Sequence, residues 1–410
     1  MFKEVSERLV KNYGDEVTVC TTNSFYGPEK KIFKPIPLHT ETINGVTIKR
    51  FSFFRFHLKI IRFLKKVLNY LSLSMPEGLN RYILGPWSPK MKKFILEFNG
   101  DVICASSSSY LYMTYPLEKQ SRQPFVFMGA VHFSENETYN PIFSKVMEAI
   151  KMSAAYIANT VFEKNRLTLF GIDESKVKIA GCGVDVKVMI NAVPPNTFRE
   201  KYGIGPGLIV GYVGRHVASK GLGLLLEAMQ LLWKKGEHYQ LIIAGSPTDY
   251  TAEIKKKVQQ LGAFVTNVIF ITDFSDDEKI GIFNNLDVFV SVSTEESFGI
   301  VYLEAWACKK PVIGANVGAV RSVIDHGING FLVEPGNSVE LAIRIDELCN
   351  YEGKRQEMGL AGFNKVQAEY SWDIITEKYR QIYIDAIAPN AGKKNNVLNV
   401  KERGRKRNIV

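Results

Sequence analysis

The sequence has no run of 18 or more apolar residues, so no membrane-spanning helix is expected. Its first residues, Met1-Phe2-Lys3-Glu4-Val5-Ser6-Glu7, hold no apolar signal region. Cysteine is scarce. Cys20, Cys104, Cys182, Cys308 and Cys349 lie far apart with no Cys-x-x-Cys pair, which argues against a disulfide framework and predicts buried free thiols in a reducing compartment. No His/Cys cluster has metal-ligand spacing, and no Asp-x-Asp stands at a strand end. Asp273, Asp276 and Asp277 read as loop and helix start, so no metal site is expected. No aromatic-basic module for nucleic acid is evident. Carboxylates are outnumbered by basic groups, and the net charge of +10 favours anionic partners without choosing among nucleotide, membrane and nucleic acid. What is present is a chain of 410 residues, 46% hydrophobic and 23% charged, typical of a soluble globular protein and too long for one ordinary core.

The second half alternates strand and helix signals. Predicted strands are 208–213, 239–244, 268–271, 288–293 and 311–313. Predicted helices are 222–235, 252–261, 276–285 and a segment opening near 296 and running to about Lys309, with a short helix near 320–325. This order predicts a parallel sheet covered on both faces, with ligands outside the carboxyl ends of its strands. The first half is α/β but rougher. Strands are expected at 17–20, 46–50, 101–104, 124–128, 155–158 and 177–180, after a helix over 4–13. A Pro-rich link, Val193-Pro-Pro-Asn196, sets the domain boundary. The expected organisation is 1–193, 194–373, a returning helix over 374–387, and a basic, disordered tail over 388–410. From Lys393 onward that tail carries seven Lys/Arg and one Glu.

The most informative stretch is Glu296-Ser-Phe-Gly-Ile-Val-Tyr-Leu-Glu304, which places two carboxylates around a Ser-Phe-Gly turn. Their separation puts them within about 80° of each other if both lie on a helix, one at its mouth and one two turns deeper. A helix N-terminus is an anion site, so phosphate at the mouth and hydroxyls on the carboxylates would suit a sugar nucleotide.

In order, Gly211-Tyr-Val-Gly214-Arg215 through Lys220-Gly221, Ala244-Gly245, Asn285-Leu-Asp287, Glu296–Glu304, Lys310-Pro311-Val and His326-Gly327-Ile-Asn-Gly330 resemble the donor-binding domain of glycosyltransferase family 4. Gly183-Val-Asp185 resembles the segment before the interdomain link, and Ser371-Trp372 the start of the last helix. The resemblance implies the α/β GT-B fold, two Rossmann-like domains facing across a cleft, and sugar transfer with retention from a nucleoside diphosphate sugar. That sugar nucleotide is a co-substrate, and no bound cofactor is implied. There are two departures. The family's opening strand and Gly-rich loop have no counterpart, because the chain as given starts inside what resembles the next helix. Ser322 stands where many members carry Glu.

The departing diphosphate needs neutralising. Arg215 offers a planar fork for two oxygens and Lys220 a compact charge. From the residues alone, two solvated charges in a turn fit equally well. Gly214 and Gly221 suit a turn with positive φ or a close ligand approach. Phe298, Gly299 and Ile300 would offer backbone N–H groups. The resemblance assigns Glu304 to the ribose, Glu296 to the donor sugar and the anomeric charge, and Thr272 and Asp273 to the base side; Asp273 as a plain helix cap is the alternative. It places His132 near acceptor and donor sugar, with Glu135, Glu137 and Ser106–Ser109 as further acceptor candidates.

Phe54, Leu58, Ile61, Leu64, Leu68 and Leu71 follow helical spacing, flanked by Arg55, Lys59, Arg62, Lys65 and Lys66. Such a helix either lies on anionic lipid or packs its stripe on a sheet. The reading is a cytoplasmic enzyme, with the inner membrane surface as a peripheral site. Its acceptor is a glycan, a lipid-linked sugar or another hydroxyl. A sugar-nucleotide epimerase and a non-catalytic binder are the alternatives.

Overall fold

A computed structural model describes residues 1–26, 33–36, 40–54, 56–73, 87–106, 123–129, 141–190, 195–391 and 408–409. The chain divides into two compact units. One comprises Met1–Asn159, Glu163–Ala180 and Thr376–Val410, the other Thr160–Phe162 and Gly181–Ile375. The boundary therefore falls at Gly181 rather than near Val193. The reason is local packing: Val184 N–H donates to Tyr370 O, and a Cβ on Gly183 would lie 2.7 Å from the Trp372 ring. The last helix spans Trp372–Ala391, beyond the expected end at 387.

The second unit holds an all-parallel six-stranded sheet. Its spatial order is Val268–Ile271, Gln240–Ala244, Ile209–Val213, Val288–Ser291, Val312–Ala315 and Gly330–Val333. The five-residue strands at its centre are wholly buried, as continuous apolar runs such as Gln240-Leu-Ile-Ile-Ala244 require when both faces are covered. The chain winds outward one way through 209–213, 240–244 and 268–271, then returns to start the other half at 288–291. That reversal makes the ends of 209–213 and 288–291 the topological switch point, where such sheets bind ligands. Helices between the strands start where local chemistry dictates. Ser275 and Glu278 form a reciprocal capping box at the head of Asp276–Asn285. The Asp287 carboxylate accepts from Ile209 N–H at 2.7 Å and fastens the two switch-point strands at their starts.

The first unit contains the six expected strands, in two sets. Parallel strands Glu16–Thr22 and Val46–Phe51 pair, with Thr40–Ile43 antiparallel at the edge. Ile103–Ser106, Phe125–Met128, Ala155–Ala158 and Val177–Ile179 form a second parallel set. Among the described residues no strand joins Glu16–Thr22 to Ile103–Ser106. A cavity of about 290 Å³ lies along both, lined by Val17, Val19, Cys104, Met128 and Tyr383, with the helix Phe2–Tyr13 contributing Val5 and Leu9. The tail departs from expectation at its end: Asn408 and Ile409 pair in parallel with Glu16 and Val17. Residues 392–407 lie outside the described ones.

Candidate active site

Three segments converge at the carboxyl ends of the switch-point strands. After Val213 the chain turns through Gly214 and Arg215 into a single 3-10 turn, Ala218–Lys220. Gly221 ends that turn at φ 75°, and a Cβ there would stand 2.5 Å from Val292 O. Only glycine meets both demands, so the expectation of positive φ and close approach holds, although the neighbour approached is backbone. Gly214 differs. Its φ is not positive, and its missing Cβ makes room for the Tyr212 hydroxyl, which donates to Arg215 O at 2.7 Å.

The second segment follows Val288–Ser291. Thr294 N–H donates to Ser219 O at 2.9 Å, and the Ser293 hydroxyl donates to Glu295 O at 2.8 Å. These bonds bring Glu296 to Lys220, Nζ to Oε2 at 2.6 Å, with side chains 22% and 14% exposed for Lys and Glu. Arg215 is exposed and pairs with no carboxylate among the described residues. Among the described residues the loop thus carries one cation engaged by a carboxylate, Lys220, and one that is not, Arg215.

The helix itself runs Ile300–Ala307, with Gly299 at φ 92° as its N-cap and no side-chain cap. Glu296 precedes the helix, so the two carboxylates do not share a helical face. The 100° spacing argument fails because the Ser-Phe-Gly turn intervenes. Gly299 is required there, since a Cβ would meet the Tyr302 ring at 2.5 Å. Phe298 is buried against Tyr370, their ring centroids 5.8 Å apart, and Ile300 is exposed. The segment 298–300 thereby forms an anchored helix mouth whose first N–H groups lack a capping side chain.

Glu304 sits one turn inside the helix. Its Oε1 accepts from Lys279 Nζ at 2.5 Å, while its buried Oε2 has no partner among the described residues. Burial pushes its carboxyl above the usual range, and Lys279 opposes that. Sequence reading passed over Lys279 because it is 25 residues from its partner. Thr272 and Asp273 follow Val268–Ile271 as expected, and Asp273 takes φ 57°, strained for a non-glycine residue. Asp273 does not cap the next helix; Ser275 does.

Other motif residues are structural. The Trp306 indole donates to Asn329 O at 2.8 Å, Asn329 bridges Asp325, and Lys365 binds Asp325 at 2.6 Å. Ser322 lies in the 3-10 turn Gly318–Ser322. His216, also missed, is buried with Nδ1 3.2 Å from Thr251 Oγ1. Burial pulls its imidazole below the usual range, which favours the neutral ring. On the first unit Ser106 ends its strand as expected, whereas His132, Glu135, Glu137 and Ser107–Ser109 lie outside the described residues. Among the described residues no three His, Cys, Asp or Glu side chains are grouped to hold a metal ion. No helix described is long and apolar enough to cross a membrane.

Two Rossmann-like units, with a cation-and-carboxylate cluster at the switch point of the second, define the GT-B class of sugar-transfer folds. Sucrose-phosphate synthase from Thermosynechococcus elongatus superposes with a TM-score of 0.74 at 18% identity, over 94% of this chain and 92% of that one. Anabaena Alr3699/HepE, solved with UDP and glucose, gives a TM-score of 0.65 at 20% identity, over 82% and 86%. Residues 196–365 match the family model for glycosyl transferases group 1, and the second unit is a domain of that family. The capsular polysaccharide biosynthesis glycosyltransferase CapM of Staphylococcus aureus is 32% identical over 54% of this chain and 58% of its own length. Human alpha-1,3/1,6-mannosyltransferase ALG2 is 32% identical over 47% and 49%. The aligned part of this chain thus spans about half the length of these relatives.

Proposed function

We propose that this protein transfers a sugar, with retention and without a metal ion, from a nucleoside diphosphate sugar to a glycan, lipid-linked or other hydroxyl acceptor. One observation carries the reading: Lys220 meets Glu296 just before an uncapped helix N-terminus at the switch point, with Arg215 exposed on the loop that carries Lys220 and Glu304 one turn inside that helix. Arg215 and Lys220 hold the diphosphate, whose negative charge grows as the bond to the sugar breaks. Contacts that tighten with that growth lower the barrier. The N–H groups at Phe298, Gly299 and Ile300 add to them. Glu304 takes ribose hydroxyls, and Thr272 and Asp273 face the base. Lys220 pairs with Glu296. When the diphosphate draws Lys220 away, the Glu296 carboxylate is released to face positive charge at the anomeric carbon. His132 serves the acceptor and sugar side. The activities of the relatives, glycosyl and mannosyl transfer, agree with this reading.

The test is a thermal-shift and calorimetric screen of UDP-, GDP- and ADP-sugars, since a bound donor raises apparent stability. Arg215→Ala and Lys220→Ala are expected to weaken nucleoside diphosphate binding, and unchanged affinity would remove the phosphate role. Turnover that persists in EDTA supports metal independence, and its loss refutes it. A second reading is a sugar-nucleotide binder without transfer. Donor binding with neither transfer nor hydrolysis would establish that one.

The basic helix Phe56–Tyr70 favours an anionic membrane surface as a further partner. Phe63 and Tyr70 are 68% and 89% exposed, Leu64 and Val67 are also exposed, and so are Lys65 and Lys66. A stripe packed on the sheet would be covered; of the described stripe only Ile61 is buried. Co-sedimentation with phosphatidylglycerol vesicles, absent with phosphatidylcholine and lost in Phe63→Asp, is the expected result.

A further inference from the structure

Glu304 is held unequally. Lys279, from the helix Asp276–Asn285, donates to Oε1 at 2.5 Å, and the two side chains are 30% and 13% exposed for Lys and Glu. Oε2 is buried and finds no donor among the described residues. A buried carboxylate oxygen left without a hydrogen bond is costly, and such atoms in folded proteins ask for a reason. This one belongs to a residue one turn inside the helix that follows Glu296, the partner of Lys220. The charged and titratable groups that face the carboxylate are Lys279 and Asp276 from the neighbouring helix and Cys308 from its own. Asp276 and burial both oppose ionisation, and Lys279 is the group that favours it.

We propose that Lys279 is the positioning residue of the nucleotide site. Its ammonium engages Oε1 and orients the carboxylate so that Oε2 is presented to the vicinal hydroxyls of a ribonucleoside diphosphate. The inference rests on the nucleotide reading of this site. With Oε1 engaged by Lys279 the carboxylate is held in one orientation, and its remaining lone pairs, both of those on Oε2 included, are open to hydroxyls. Without Lys279, the buried carboxyl takes a proton and becomes a poorer acceptor. Ribose recognition then fails as pH falls and returns as pH rises and the proton leaves.

The experiment compares UDP with 2′,3′-dideoxy-UDP by calorimetry from pH 6 to 9, on the full chain, Lys279→Met and Lys279→Arg. The unmodified chain should prefer UDP at every pH. Lys279→Met should lose that preference at low pH by about tenfold, the worth of a charged hydrogen bond, and regain it at high pH. Lys279→Arg should retain it. Dideoxy-UDP should bind all forms alike. Preference unchanged in Lys279→Met, or equal weakening of both ligands, overturns the proposal. If Lys279→Met does not fold, Lys279→Gln gives the same readout. Failure of the unmodified chain to bind UDP, GDP or ADP overturns the nucleotide reading itself, and this inference with it.

Discussion

The two units differ in how their sheets are closed at the centre. In the second, the strands 209–213 and 288–291 pair directly and bring Lys220 to Glu296 above their ends. In the first, the strands 16–22 and 103–106 line a cavity and share no neighbouring strand among the described residues. An unbroken switch point fixes loop positions through the backbone ladder, so a site can be assembled from short side-chain reaches. A split sheet must rely on packing and on ties between helices. Asp15 shows this: its side chain is fully buried and holds Arg380 of the last helix through two bonds, at 2.8 and 3.2 Å.

The sharpest way to break that contrast is to cut the tie. Asp15→Ala strands a partly buried guanidinium and should destabilise the first unit by about 3 kcal/mol. Differential scanning calorimetry should show a transition moving down while UDP affinity of the second unit stays within about twofold. A comparable loss of nucleotide affinity would mean the donor site depends on the first unit's core. Next in size is Lys220→Ala, expected to lower turnover by about 100-fold, a barrier change of about 2.7 kcal/mol. The measurement is initial rate with the donor found by the screen. An effect below about threefold would place Lys220 among solvated charges.

Gly221→Ala tests the rigidity of the switch-point turn. The residue needs φ 75° and lies against Val292 O, so about 2 kcal/mol of stability should be lost in urea titration. A neutral result would show that the turn relaxes and that its geometry is not fixed by the sheet. The smallest effect is on an exposed pair. Lys201 and the Ser275 N–H hold Glu278 down at about 2. A depressed carboxyl contributes stability that is present above its unfolded value, near 4.5, and is lost as pH falls toward 2. Lys201→Met should therefore raise the acid-unfolding midpoint slightly, and leave stability at neutral pH almost unchanged because the pair is solvated. A large effect at pH 7 would mean the pair is structural.

Legibility in the sequence followed the same divide. The strand 268–271 and the helices 222–235 and 276–285 fall where apolar runs and periodicity put them, since buried parallel strands and amphipathic helices write themselves as local patterns. The first unit's strands were also legible, but not their partition into two sets. Arg215, Lys220, Glu296 and Glu304 were found through the spacing of their motifs, yet the helical geometry first assigned to Glu296 was wrong. The turn that displaces it is readable only once Gly299 is seen at positive φ against Tyr302.

The sequence alone determined the alternation of elements, the parallel sheet of the second half, the glycines of its turns and the residue types available for a diphosphate and a diol. These are local or periodic properties, set by backbone conformation and by burial of every strand face. The tertiary structure decided which charges meet. Lys220 and Glu296 are 76 residues apart, Lys279 and Glu304 are 25 apart, and Asp15 and Arg380 are 365 apart. No period links such pairs. Their contact depends on strand order and on the turn that carries each side chain over the sheet. For that reason the free oxygen of Glu304, and the lysine that sets it, became visible only in the folded chain.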